Sequence, residues 1–137
     1  MVRPEVVRKR LAKVEESLAI LKGLQGHEFG EFVRKPELYG SVERFLHLAI
    51  EALIDVGNHA VSDLNLGPVN WYSDIPNLLE SKGILTREQK DLFLKMIGFR
   101  NALVHDYCDI DRRIVYDVLK NRLDDLAGLM AAFARLL

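Results

Sequence analysis

Arg100, Asn101, His105 and Tyr107 stand within eight residues of one another, in the stretch GFRNALVHDY over 98–107, and they interrupt an otherwise apolar helical run. The residue types suit phosphate chemistry. A histidine ring, with an ordinary pKa of about 6.5, both takes and gives a proton near neutrality. Arginine keeps its charge, and its planar fork matches phosphate oxygens. Asparagine adds a neutral donor and acceptor. On a helix, Asn101 and His105 are four apart and share a face. Arg100 starts about 100° away, yet its long stem lets the fork swing toward that face. Together these groups are competent to cleave RNA without a metal. His105 would take the 2′-hydroxyl proton or protonate the leaving 5′-oxygen, and Arg100 would stabilise the charge growing on the phosphate. Tyr107 could stack on a base. The blander account is a histidine near a helix C-terminus that favours the dipole, and a surface ion pair between Arg100 and Asp106.

The elements that must carry these residues read as helices throughout. Val7, Leu11, Val14, Leu18 and Leu21 form one apolar stripe, with Pro4 in the first turn and Gly23 and Gly26 beyond the end. The short piece EFGEFVRK before Pro36 is open in its structure. Residues 37–64 are apolar around most of the circumference, which predicts a helix covered on several sides. One stripe there is polar: Arg44, His47, Glu51, Asp55, Asn58 and Ser62. It is either a solvent-facing stripe or the wall of a polar groove near the site or a subunit boundary. NLGPVNWY is a loop, with Trp71 and Tyr72 expected to anchor it by packing on the bundle rather than to form a base-stacking platform, and Ser73 or Asp74 caps a short helix that Gly83 stops. Thr86 and Gln89 have capping-box spacing. Leu92, Phe93, Met96, Ile97, Leu103 and Val104 continue a helix into the motif. DYCDID breaks it, and Asp109 or Asp111 caps one long last helix with the stripe Val115, Leu119, Leu123, Leu126, Met130, Phe133 and Leu137. The expected architecture is an all-α bundle with four main helices and one or two short ones.

Length and composition bound the rest. The chain has 137 residues, 49% of them hydrophobic and 28% charged, with a mean hydropathy of +0.01. That fits one domain over 1–137 with a substantial core. A net charge of −1 supplies no global basic field, so any RNA contact must come from a local patch. No uncharged apolar run approaches the roughly 18 residues of a membrane span, and the charged first segment is no signal peptide. The single Cys108 allows no intrachain disulfide, which makes a reducing cytoplasm the expected location.

Arg100, four residues, His105, one residue, Tyr107 resembles the R-x4-H-x-Y signature of HEPN-domain proteins of the HepT type. The context is similar too: LAIEALIDVGNHAV (48–61) resembles the central helix of that family, MIGFRNALVHDYCDID (96–111) its motif helix, and VYDVLKNRLDDL (115–126) the start of its last helix. The resemblance implies an antiparallel HEPN-type helical bundle and a homodimer with two motifs facing across a cleft, which would also account for the apolar girth of 37–64. It implies a ribonuclease toxin of a toxin–antitoxin pair whose partner is an MntA-like minimal nucleotidyltransferase. That antitoxin would transfer AMP from ATP onto the motif tyrosine. By position, Arg100, His105 and Asn101 would be catalytic and Tyr107 the modified residue. Glu51 and Asp55 match acidic positions on the central helix and would support the cleft. RNA is the implied substrate; no cofactor, metal or membrane is implied.

Other classes compete. The chain could serve mainly as partner and substrate of a nucleotidyltransferase, with little nuclease activity of its own. Glu51, Asp55 and His59, spaced by four along one helix, could be metal ligands, though no second contributing helix is evident. Cys108 and His105 could form a thiol hydrolase, but Asp109 beside the thiol should raise its pKa.

Overall fold

The computed structural model describes residues 2–105 and 110–137. Among them are seven helices and no strand: α1 (Pro4–Gly23), α2 (Phe29–Arg34), α3 (Pro36–Asp63), α4 (Asp74–Ser81), α5 (Arg87–His105), α6 (Arg112–Asn121) and α7 (Leu123–Ala134). The main arms of the expected all-α bundle are α1, α3, α5 and the α6–α7 pair, while α2 and α4 are the short pieces.

The stripe on α1 does what its spacing predicts. Val7, Leu11, Val14, Leu18 and Leu21 are buried, mainly against α3 and α7. The segment left open becomes α2, and Phe32 explains why. Its ring is fully buried, with the rings of Tyr116 and Tyr39 at 5.3 and 6.3 Å. The Tyr116 hydroxyl then donates to the His27 carbonyl at 2.7 Å, tying α6 to the turn before α2.

The apolar girth of α3 has a cause inside the chain. α3 is the central helix, in contact with all six of the others. Leu46, Ala49, Ile50, Leu53, Val56 and Ala60 are all fully buried within one protomer. The girth therefore does not call for a subunit interface. Where α4 crosses α3, Gly57 leaves the room: a Cβ there would lie 2.7 Å from Ile75 Cγ2.

Local signals set the ends. Gly83, at φ +75°, ends the turn after α4 in a conformation that costs glycine little. At the start of α5 the Thr86 N–H donates to Gln89 Oε1 (3.0 Å), and the Gln89 N–H donates to Thr86 Oγ1 (3.1 Å). A cap of this kind contributes about 1 kcal/mol. Ser73 stands at the start of α4 without a side-chain cap bond. Asp111, one of the two expected caps of the last helix, does cap α6, accepting from the Arg113 N–H at 2.9 Å. The Arg113 guanidinium beside it holds its carboxyl below the usual range.

One expected element is divided. The last helix breaks at Arg122 (φ −119°, ψ 2°), whose carbonyl starts α7 by accepting from Asp125 N–H at 3.1 Å. The apolar stripe runs across the break because Val115, Leu119, Leu123 and Leu126 are buried on both sides of it. Leu137, expected at the end of that stripe, lies beyond α7 and is 49% exposed.

Candidate functional site

α5 packs on α3, α4 and α7 and buries Phe93, Met96, Ile97 and Leu103, the Phe93 ring 5.9 Å from that of Phe133 on α7. Arg100 follows Met96 by four and Ile97 by three, so it emerges at the edge of the buried face. Its side chain is only 14% exposed. There it meets the polar stripe of α3. Arg100 Nε donates to Glu51 Oε2 at 2.7 Å, and Arg100 Nη1 donates to Asn101 Oδ1 at 3.1 Å. The Arg100 fork thus does reach over to the Asn101 face. His47 Nε2 lies 3.4 Å from the same Glu51 oxygen. The guanidinium carbon sits 5.2 Å from the centre of the Tyr72 ring, a cation–π distance. Two of its nitrogens are fixed by the bundle, and among the described residues nothing bonds Nη2.

Arg100, Asn101 and His105 line one groove of about 500 Å³ together with Ile97, Asn70, Trp71, Tyr72 and Ser73. Its floor belongs to α5 and its wall to the loop before α4. Asp74 fastens that loop, its carboxylate accepting the N–H of Asn70 (2.9 Å) and of Trp71 (3.0 Å). His105 is the last residue of α5 and is exposed, as an acid–base group needs to be. A fixed cation, an amide and an imidazole around one groove can bind a phosphate and move protons beside it.

The loop aromatics do not behave as expected. Trp71 is 75% exposed and Tyr72 42%, so neither is a buried anchor. The Trp71 backbone is held by Asp74 instead. The sequence offers one signal for this, the aspartate three residues after the tryptophan.

Of the two acidic candidates on α3, Glu51 meets Arg100. Asp55 lies one turn further on, 3.7 Å from Arg10 of α1, and does not line the groove. The three residues weighed as metal ligands diverge: Glu51 to Arg100, Asp55 to Arg10, and His59 Nδ1 to Arg3 Nη2 at 2.8 Å. Among the described residues no group of three or more His, Cys, Asp and Glu is placed to hold a metal ion. The polar stripe of α3 is therefore mixed in use: Glu51 anchors Arg100 without lining the groove itself, and Arg44, Asn58 and Ser62 are exposed. Tyr107, the position expected to be modified, lies outside the described residues, as do Asp106, Cys108 and Asp109. No described helix is long and apolar enough to cross a membrane.

Comparison with known proteins covers nearly the whole chain. The model of a family described as ribonuclease HepT-like matches residues 14–133. The chain is 28% identical over 121 residues to the mRNA nuclease HepT of Shewanella oneidensis, spanning 88% of this chain and 90% of that protein. It is 30% identical over 117 residues to the tRNA nuclease HepT of Aphanizomenon flos-aquae, spanning 84% and 78%. Among solved structures it is similar to a tri-AMPylated Shewanella oneidensis HEPN toxin in complex with an MNT antitoxin. The TM-score there is 0.87 at 26% identity, over 95% of this chain and 97% of the other.

Proposed function

The chain belongs to the HepT-like ribonuclease family, and we propose that it is a toxin that cleaves RNA at a cleft between two copies, without a metal ion, through Arg100, Asn101 and His105. Residues 1–137 act as one HEPN domain in this reading, supported by the single apolar cluster that joins all the helices. The observation that carries the chemistry is the guanidinium of Arg100, anchored by Glu51 and Asn101 and sharing a groove with His105. Anchoring costs the arginine its freedom before RNA arrives, so its charge is aimed in advance at the phosphate.

The reaction follows from those groups. The RNA 2′-oxygen attacks its own phosphorus and loses its proton to a base. The bond from phosphorus to the 5′-oxygen breaks, and that oxygen takes a proton from an acid. His105 serves one of these transfers, and the His105 of a second copy facing it serves the other. Arg100 binds the non-bridging oxygens, where charge builds. The products are a 2′,3′-cyclic phosphate and a 5′-hydroxyl.

The antitoxin is an MntA-like nucleotidyltransferase, a partner supported by the MNT-bound toxin that this chain resembles. It neutralises the toxin by AMP transfer to Tyr107. The tyrosine oxygen attacks the α-phosphorus of ATP and pyrophosphate leaves, which puts a negative phosphodiester and a bulky nucleoside two residues from His105. The charge competes with RNA for Arg100.

Arg100→Ala and His105→Ala test the nuclease. Each is expected to lower RNA cleavage by at least about 10²–10⁴ and to relieve growth arrest, with the helical circular dichroism retained. EDTA should leave the wild-type rate unchanged, and light scattering should give twice the 15.6 kDa chain mass. Full cleavage by both variants would remove the motif from the chemistry. Activity lost in EDTA and restored by a divalent ion would overturn the metal-free route.

A further inference from the structure

Trp71 is the single tryptophan of the chain, and it stands 75% exposed at the rim of the groove that holds Arg100 and His105. Tryptophan is usually well covered, since its large apolar area favours burial. Among the described residues nothing covers it. The loop is not slack, because the Asp74 carboxylate takes the N–H groups of both Asn70 and Trp71. Tyr72 next to it is steered by the Arg100 guanidinium, 5.2 Å from its ring centre. Trp71 is therefore presented by a held backbone, and Tyr72 by its contact with Arg100, in the same groove as the motif.

The groove joins two kinds of surface. Arg100 and His105 offer charge and proton transfer. Ile97, Tyr72 and Trp71 offer apolar and aromatic surface in the same groove, Tyr72 directly beside the Arg100 guanidinium, and Asn70 and Asn101 add amides. A nucleotide joins the same two kinds, an anionic phosphate and a planar base with hydrogen-bonding edges. The volume of about 500 Å³ is in the range of about 300–1,000 Å³ that such ligands occupy.

We propose that Trp71 and Tyr72 form a stacking shelf for an unpaired base next to the scissile phosphate. The inference rests on the ribonuclease reading above and adds the residues that hold the base. A base inside a duplex already has both faces stacked and cannot reach a side-chain shelf, whereas an unpaired base offers its faces to an aromatic ring. Stacking is tolerant of base identity, so the shelf selects for strand state more than for sequence. Trp71 touches the base and not the reacting atoms, so it governs binding.

The sole tryptophan makes the test direct. The wild-type protein is titrated with an end-labelled, single-stranded 2′-O-methyl oligonucleotide, which lacks the attacking hydroxyl and is not cleaved. Tryptophan emission and label anisotropy are read together, and cleavage of unmodified RNA is measured in parallel. Emission should be quenched in step with the rise in anisotropy, and an abasic strand of the same length should give no quenching. Trp71→Ala should weaken binding about five- to a hundredfold, the range for loss of one base–aromatic stack, while Trp71→Phe keeps most of it. Anisotropy that rises with emission unchanged, or Trp71→Ala binding as tightly as wild type, overturns the shelf while RNA cleavage still upholds the ribonuclease. A wild-type protein that neither binds nor cleaves RNA overturns the ribonuclease reading itself. Emission that shifts to the blue with protein concentration alone, in step with the particle mass, places Trp71 between two copies and also overturns the shelf.

Discussion

Glu51 is the residue whose removal separates anchoring from chemistry. It takes no part in the proton transfers, yet it holds Arg100 by a charge-assisted hydrogen bond of 2.7 Å between side chains that are 30% and 14% exposed. Bonds of this type contribute about 1.5–3 kcal/mol, and with Glu51 nearly one-third exposed the solvent trims that to about 1–2 kcal/mol. Unfolding a chain of this length carries an entropy of about 0.3 kcal/mol per kelvin. Glu51→Ala should therefore lower Tm by about 3–7 °C. Glu51→Gln keeps an oxygen for the Arg100 Nε–H but not its charge, so it should fall between. The functional signature is sharper. A guanidinium released from Glu51 still carries its charge, so RNA binding and KM should change little. The fork must then find its catalytic position during each turnover, and misplacement of about 1 Å can cost about a hundredfold in rate. The expected outcome is a kcat drop of about ten- to a hundredfold at nearly constant KM, read from single-turnover cleavage alongside calorimetry. A Glu51→Ala protein with wild-type Tm and wild-type kcat would refute the anchor. An equal rise in KM would mean that Glu51 shapes binding instead.

Gly57→Ala puts a methyl 2.7 Å from Ile75 Cγ2, with Leu79 and Phe133 at 3.6 Å on the other sides. The overpacking costs about 1–3 kcal/mol and helix propensity returns about 1 kcal/mol, so thermal melts should show a Tm fall of up to about 7 °C; a more stable variant would mean that α4 can move off α3. Incubation with the cognate nucleotidyltransferase and ATP should add one or more AMP units of about 329 Da each to Tyr107 and stop cleavage. Tyr107→Phe should escape both, as intact mass spectrometry and the RNA assay would show, and silencing without an adduct would move the switch elsewhere.

Local chemistry was legible in the sequence, and partner choice was not. The α1 stripe and the Thr86–Gln89 capping box involve residues within a few turns of each other, so spacing alone specified them. The R-x4-H-x-Y spacing identified the motif helix, and the structure adds that Arg100 and His105 line one groove. The break at Arg122 escaped notice because the apolar period survives it. The signal against a continuous helix was electrostatic: Asp124 and Asp125 suit the first turn of a new helix, where carboxylates meet the positive dipole end. Glu51 could be placed on a polar stripe, but Arg100 is 49 residues away and nothing in either segment names the other. The girth of α3 is the more instructive case. An apolar circumference reports that a helix is surrounded and says nothing about whose residues surround it. Here six helices of the same chain do so. The proposed dimer accordingly draws no support from that girth. It rests on what the motif's resemblance implies and on the chemistry, since one exposed His105 per chain must both remove and deliver a proton unless a second copy brings another.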